Sequence, residues 1–311
     1  MQTILITGGT GMIGKSLTAH LTDKGYHVIV LTRRSIPKKI TSSKVEYALW
    51  NVKKQSLDIE AIQKADHIIH LAGAGVVDKK WTDAYKKAIQ ESRTESGKLI
   101  ISALKSNPNK VKSVISISAI GWYGPDSNHM AGAFVETDAA ANDFLGTTCQ
   151  LWEQSIEPLK ALNMRLVKLR TGIVLSKKGG ALAEFKKPLH LGVATILGSG
   201  KQVVSWIHID DLCRIFIYAI ENEQLSGSYN AVAPHPVTNK ILVTQLANTM
   251  NRKLFVPVKV PAIVLKIMMG DRSIEVLKSA TVSCEKIQRA GFTFLYATID
   301  GALRHLCNKL K

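Results

Sequence analysis

Gly8, Gly11 and Gly14 recur at three-residue intervals near the start of the chain, between a strand-like run, Thr3–Thr7, and a helix-like run, Lys15–Lys24. Glycines allow a tight turn and let the backbone come close to a pyrophosphate. The helix that follows offers unpaired N–H groups and the positive end of its dipole. In this strand–turn–helix setting Gly8, Thr10, Gly11, Met12, Ile13 and Gly14 are read as a dinucleotide site; a merely tight turn does not need three glycines. The next strand-like run ends in Leu31-Thr32-Arg33-Arg34. An acid placed there would hold ribose hydroxyls. Here two guanidinium forks stand instead, suited to a 2′-phosphate. The expected cofactor is therefore NADP(H), the alternative being that Arg33 and Arg34 are solvated loop charges.

Other reactive residues form no recognised device. Cys149, Cys213, Cys284 and Cys307 lie far apart, which argues against a disulfide framework or a structural zinc site and fits a reducing cytoplasm. His208, Asp210 and Asp211 have no metal-ligand spacing, so no metal is expected. The 311 residues carry 41 Lys plus Arg against 24 Asp plus Glu, a net charge of +17. The excess is +6 over residues 1–150 and +11 over 151–311, spread as pairs such as Lys38-Lys39 and Lys186-Lys187. Such spreading reads as a solvated surface, with a bias of the second half toward an anionic ligand. Aromatic residues are only 6% of the chain, without nucleic-acid-binding motifs, so nucleic acid is not expected as a partner. No apolar run approaches a membrane span, and Met1–Ile6 has no basic, cleavable leader pattern.

The elements that must position these groups alternate. Strands are expected at Thr3–Thr7, His27–Thr32, Val45–Leu49, Asp66–Leu71, Val111–Ser118, Met164–Leu169, Val203–Ile207 and Gly227–Val232. Helices are expected at Lys15–Lys24, Trp81–Lys105, Phe144–Leu162 and Leu212–Glu221. Apolar runs without clean alternation, each followed by a helix, indicate a parallel sheet covered on both faces. The expected fold is a doubly wound α/β Rossmann fold. Its dinucleotide-binding domain takes residues 1–176 and 201–233. A smaller, mostly helical substrate-side domain takes 177–200 and 234–311, interleaved in sequence.

Several motifs resemble the extended short-chain dehydrogenase/reductase superfamily: TGGTGMIG at 7–14, HLAGA at 70–74, SISAIGWYG at 116–124, GSGKQVVSWIHIDDL at 198–212 and GSYNAVAPHPVT at 227–238. TRR at 32–34, SR at 92–93, DFLGTTCQLWE at 143–153, LRTGIVLSKKGGAL at 169–182 and RAGFTF at 289–294 are similar to one atypical branch, the "epimerase family" proteins. The resemblance covers essentially the whole chain. It implies that Leu71, Ala72 and Gly73 line the cofactor, that Thr171 and Gly172 lie near the nicotinamide, and that Arg93 reaches a cofactor phosphate or carboxamide.

The superfamily's chemistry uses Tyr-x-x-x-Lys, with both side chains on one helix face. None of the seven tyrosines has lysine four residues on. If Glu153 matches the superfamily's helix glutamate, Leu145 and Cys149 fill the two catalytic positions. Three polar groups remain as catalytic candidates. Ser118 is at the usual serine position, and is either a carbonyl-oxygen holder or a turn-capping residue. Tyr123 is either a substrate hydrogen-bond donor or a buried structural tyrosine. Glu153 is either a general acid/base or an ion-pair partner. Trp122, Trp152 and Trp206 line a pocket or fill the core. The first functional expectation is an NADP(H)-dependent oxidoreductase, or nucleotide-sugar-epimerase-like enzyme, acting on an unidentified small, anionic-leaning molecule. The second is a cofactor-binding sensor or interaction protein without turnover, for example in cell division. A homodimer is compatible with either.

Overall fold

A computed structural model describes residues 1–33, 43–128, 132–250 and 255–307. In chain order the strands and helices begin β1 (Thr3–Thr7), α1 (Met12–Asp23), β2 (His27–Thr32), β3 (Val45–Asn51), β4 (Ser56–Leu57), α2 (Ile59–Lys64), β5 (His67–His70), α3 (Asp83–Ser106), β6 (Ser113–Ala119), α4 (Phe144–Ile156) and β7 (Arg165–Thr171). There follow β8 (Ile173–Ser176), β9 (Gly179–Gly180), α5 (Ala181–His190), β10 (Val193–Leu197), β11 (Val203–Val204), β12 (Trp206–His208), α6 (Ile209–Glu221) and β13 (Gly227–Ala231). The chain closes with β14 (Val237–Thr238), α7 (Asn239–Thr249), β15 (Val256–Val260), α8 (Ala262–Met269), α9 (Ile274–Leu277), α10 (Glu285–Arg289) and α11 (Ile299–Cys307).

Eight strands form one sheet in the order β13-β7-β6-β5-β1-β2-β3-β4, parallel except for the β3–β4 hairpin. Successive residues of its central strands serve opposite faces. Ile4 and Ile6 enter a core with Leu17 and Leu21 of α1 and Leu212 and Phe216 of α6. Leu5 enters a second core with Ile62 of α2 and Leu99 and Ile100 of α3. Both faces are thus covered, which is why these strands read as continuous apolar runs. From β1 the chain builds outward through β2 and β3, then crosses back to β5 and builds the other way. The strand order therefore reverses between β1 and β5, and the crevice at their C-terminal ends is the place where such sheets hold ligands.

The expected doubly wound fold is present, with displaced boundaries. The first helix starts at Met12 rather than Lys15, because Gly11 is its N-cap. α6 starts at Ile209 rather than Leu212, because the His208 side chain accepts the Asp210 N–H. The run Phe144–Leu162 is α-helical to Ile156 and continues as a 3-10 turn over Glu157–Leu162, with Pro158 in its first turn. Val203–Ile207 is broken at Ser205, whose hydroxyl donates to Ala280 O at 2.8 Å and accepts from Val282 N at 3.0 Å. The C-terminal region is mostly helical but contributes β15, which pairs in parallel with β10. No helix among the described residues is long and apolar enough to cross a membrane.

A buried histidine fixes the ends of β1 and β5. Thr7 Oγ1 accepts the amides of Leu71 (3.1 Å) and Ala72 (3.2 Å), so its proton is free to go to His70 Nδ1 at 2.8 Å. The other ring nitrogen then donates to Ser96 Oγ of α3 at 3.2 Å, and Ser96 donates onward to backbone carbonyls. Burial, with Arg93 nearby, lowers His70 to about 4; His67 is lowered to about 4 by burial and Arg165. Both stay neutral in the fold, while the unfolded chain protonates them near 6.5. Neither changes stability above pH 6.5. Below it the unfolded chain takes up protons that the fold refuses, and stability falls until about pH 4. Each histidine contributes a slope of about 1.4 kcal/mol per pH unit in that window. Urea unfolding across this range should show the loss, and His70→Asn should make it shallower. An unchanged pH dependence in His70→Asn would remove His70 from this account.

Candidate functional site

The glycine turn closes at the crevice. Gly8 has φ +69, and a Cβ there would lie 2.9 Å from Leu71 C and O. A Cβ on Gly14 would lie 2.4 Å from Gly9 Cα, and one on Gly9 would lie 2.7 Å from a Val30 methyl. Gly8 thus lets β1 turn against the 71–73 segment. Gly14 lets the first turn of α1 pack directly on the loop. Gly11 has a different role, as the N-cap with no side chain, and its N–H bonds Gly8 O at 3.0 Å. Thr10 and Gly11 are exposed, and no acid occupies the first turn of α1. Its free N–H groups and dipole therefore face outward without a competing carboxylate, which fits a pyrophosphate. Met12 and Ile13 are partly buried, and Met12 Cε would lie 3.2 Å from a Cβ on Gly180.

Leu71, Ala72 and Gly73 run beside this turn, held by Thr7. Arg93 lies against them, buried, with its NH1 donating to Ala74 O (3.1 Å) and Ile89 O (2.9 Å) and its guanidinium 4.7 Å from the Trp152 ring. A Cβ on Gly73 would come within 3.2 Å of Arg93 Cζ. In this arrangement Arg93 braces the segment through Ala74. Arg33 is exposed at the end of β2, and the sequence from Arg33 to Val45 contains no Asp or Glu. Arg34 lies outside the described residues. Thr171 is buried at the end of β7, and Gly172 N donates to Ala231 O at 3.1 Å. A Cβ on Gly172 would meet Ser205 O at 2.4 Å.

Ser118, Tyr123 and Glu153 are brought together, in the interior of the protein. Arg170 of β7 grips Glu153 of α4 with two bonds, Nε to Oε1 at 2.8 Å and NH2 to Oε2 at 3.1 Å. Ser118 donates to Glu153 Oε1 at 2.8 Å, Ser228 donates to Oε2 at 3.3 Å, and Lys168 Nζ lies 3.4 Å from Oε2. Arg170 NH1 also donates to Tyr123 OH (3.1 Å) and Glu136 O (3.1 Å), and its Cζ lies 3.6 Å from the Trp122 ring centre. Tyr123 passes its proton to Asn230 Oδ1 at 2.7 Å. Burial pushes the Tyr123 phenol up to about 12 against the pull of Arg170. Burial alone would lower the Arg170 guanidinium, but its bonds to Glu153 hold it above its ordinary value. Glu153 is therefore arranged as the ion-pair partner, with both oxygens engaged, and Tyr123 as a buried structural tyrosine. The hydroxyl proton of Ser118 is committed to Glu153.

Sequence reasoning missed the partner, Arg170. The signal was present: Lys168 and Arg170 stand at i and i+2 of a strand flanked by neighbours on both sides, and buried cations at that spacing call for a buried acid. The three tryptophans are also framework. Trp122 covers Arg170, Trp152 lies beneath Arg93, and the buried Trp206 donates to His235 O at 3.0 Å. Leu145 and Cys149, at the positions of the absent Tyr and Lys, face the end of β6. Both Leu145 Cβ and Cys149 Sγ would lie 3.5 Å from a Cβ on Gly121. Burial pushes the Cys149 thiol up to about 12, leaving no thiolate.

Glu275 on α9 is a further residue that the sequence did not single out. Its segment is tied down on both sides. Val276 O accepts Gln202 Nε2 at 3.0 Å, and Lys278 Nζ donates to Tyr123 O at 2.6 Å. The carboxyl lies within electrostatic reach of Lys278, of Asp143 at the N-cap of α4 and of Cys149 on α4, and accepts no hydrogen bond from the described residues. Burial raises it above the ordinary carboxylate range; Lys278 pulls it down and Asp143 adds to the rise.

Residues 4–232 match the NAD dependent epimerase/dehydratase family, and residues 260–306 match a domain of unknown function, DUF1731. An epimerase family protein of Staphylococcus aureus is 34% identical over 310 residues, covering 99% of this chain and all of the relative. The crystal structure of human epimerase family protein SDR39U1 with NADPH superposes with a TM-score of 0.86 at 26% identity, over 98% of this chain and 99% of that one. A nucleoside-diphosphate sugar epimerase from Corynebacterium glutamicum superposes at 0.77 with 29% identity, over 98% of this chain and 58% of that one.

Breaking the central pair should cost more than a surface ion pair. Arg170→Met strands Glu153 in the interior and is expected to lose about 3–5 kcal/mol in urea unfolding. The double replacement with Glu153→Leu should recover part of it. A loss under about 1 kcal/mol, the scale of a surface pair, would show that the pair is not what holds these elements.

Proposed function

Because the chain belongs to the NAD-dependent epimerase/dehydratase family, in the epimerase-family branch of the atypical short-chain dehydrogenases, we propose that it is an NADP(H)-dependent oxidoreductase of a small carbonyl or alcohol substrate. The nicotinamide dinucleotide itself follows from the family. The observation that supports the phosphorylated form is Arg33 at the end of β2, exposed, with no Asp or Glu in the sequence from Arg33 to Val45. The NADPH bound by the human relative supports the same reading. In this proposal the turn of Gly8, Thr10, Gly11, Met12, Ile13 and Gly14 cradles the pyrophosphate. Arg33 and Arg34 hold the 2′-phosphate, and Leu71–Gly73, braced by Arg93, line one side.

A reduced nicotinamide, when bound, supplies a hydride. The chain must then hold the substrate oxygen and hand it a proton. Ser118, Tyr123 and Glu153 are occupied in the Arg170 network. We therefore assign the proton to Glu275, which lies within electrostatic reach of Cys149 beside Ala119 at the end of β6, and whose raised carboxyl favours the protonated form that a general acid needs. The occupation of all three earlier candidates also favours a second reading, a cofactor-binding sensor without turnover.

Fluorescence titration should give tighter binding of NADPH than of NADH. Arg33→Ala should weaken NADPH about tenfold, the scale of a charge-assisted bond, and leave NADH nearly unchanged. Equal or tighter NADH binding by the unaltered chain would overturn the NADP(H) assignment. Gly14→Ala should abolish binding of both. If the unaltered chain binds NADPH, Glu275→Gln should keep that binding and lose turnover across a carbonyl panel. Turnover unaffected by Glu275→Gln would remove Glu275, and no turnover by the unaltered chain would favour the sensor.

A further inference from the structure

Helix α8 is held to the protein along one side only. Leu265 is its one buried residue. Met269 O accepts Arg272 Nε at 3.2 Å, and Arg272 NH1 donates to Val77 O at 2.7 Å, so the end of the helix is pinned to the loop after β5. The opposite side is bare. Ile263, Ile267 and Met268 are 68%, 78% and 67% exposed, and Val264 is exposed beside them. With a step of about 100° per residue these four share an arc of about 140°, while Leu265 and Met269 point the other way. Strand β15 leads into α8 through Pro261 and continues the exposure, with Val256 and Val258 on one face of the strand and Pro257 and Lys259 on the other. Single exposed apolar side chains are ordinary on a protein surface. An apolar helix face joined to an exposed apolar strand is not, and marks a docking surface.

Charge selects the occupant. From Phe255 to Gly270 the chain carries Lys259 and Lys266 and no Asp or Glu. A second copy of the chain would bring these like charges together, on top of a net +17 for each chain. The free edge of β15 is also blunted against strand pairing. Val256 N donates inward to Gly192 O, so the next amide faces the free edge, and there Pro257 has no N–H to offer. A neutral apolar partner would bury two ammonium groups without a counter-charge. An anionic bilayer surface satisfies both halves of the face. The apolar side chains leave water for the acyl boundary, and the lysine stems follow them while the ammonium heads stay among the phosphates.

We propose that α8 and β15 form a docking surface for an anionic phospholipid bilayer, with α8 lying in the plane of the interface. The helix has eight residues, about 12 Å of length, so it rests on the lipid and does not cross it. Arg272 presents it already folded and fixed in place, so docking costs little ordering. The excess of positive charge in the second half of the chain thereby has an anionic ligand that composition alone does not name.

The test is flotation of the full chain with vesicles of equal parts phosphatidylglycerol and phosphatidylcholine at about 0.1 M salt. Most of the protein should float with these vesicles and stay behind with phosphatidylcholine alone. Raising the salt to about 1 M should release part of it, as screening shortens the reach of the lysines. Ile263→Ser combined with Ile267→Ser should weaken vesicle binding about tenfold or more. Lys259→Gln combined with Lys266→Gln should weaken it several-fold. Both double variants should keep the parent Tm, because all four side chains are exposed. Leu295→Ser, at an exposed leucine elsewhere, should float as the parent does. No flotation with the anionic vesicles would overturn the surface. So would flotation that survives both double variants, or that is equal on phosphatidylcholine alone. Dimerisation in analytical ultracentrifugation that the isoleucine variant abolishes would give the face to a second copy and overturn the bilayer.

Discussion

The bidentate bond between Arg170 and Glu153 joins β7 to α4, and most of the polar interior on that side is completed by it. Removing either ion leaves the other buried with unsatisfied hydrogen-bonding capacity, a cost larger than the net worth of the pair. Ser118 of β6, Tyr123 of the turn after β6, Lys168 of β7 and Ser228 of β13 all close on these two side chains, and Asn230 of β13 accepts the Tyr123 hydroxyl. The stack of Trp122 on Arg170 closes one face. Residues that look catalytic by type and position are here the polar cement of the sheet.

The edge proposed for the cofactor is built from backbone: a glycine turn, a helix N-terminus and the Leu71–Gly73 segment hung from Thr7. Its precision comes from His70, neutral because it is buried, passing hydrogen bonds from β1 to α3. The groups that would handle protons must then come from elsewhere, and the C-terminal segment carrying Glu275 lies over the end of β6. Lys278 binds that segment to the backbone of Tyr123, so the helical C-terminal region is coupled to the sheet beside the cofactor crevice.

Much of the fold was legible because it is local. Thr3–Thr7 and His27–Thr32 were readable as strands to the residue, since parallel burial on both faces leaves a continuous apolar run. The glycine turn was legible because steric need acts on single positions: Gly8 and Gly14 tolerate no Cβ. The ends of α1 and α6 were misjudged where the cap is a bare backbone or an imidazole. The roles of Ser118, Tyr123 and Glu153 were open in the sequence because they depend on Arg170, 52, 47 and 17 residues away respectively. Type and spacing state what a side chain can do, whereas its partners decide what it does. Glu275 was illegible for the same reason.

The order in which the network's members leave the ribosome has a consequence for biogenesis. Ser118, Tyr123 and Glu153 emerge before Arg170, and Asn230 follows a further 60 residues later. A nascent chain ending before β7 would hold a carboxylate with no interior cation, and one ending before β13 would hold a tyrosine with no acceptor. The N-terminal half therefore cannot settle into its final packing during synthesis. It waits, partly open, for β7 and β13 to supply the counter-charge and the acceptor.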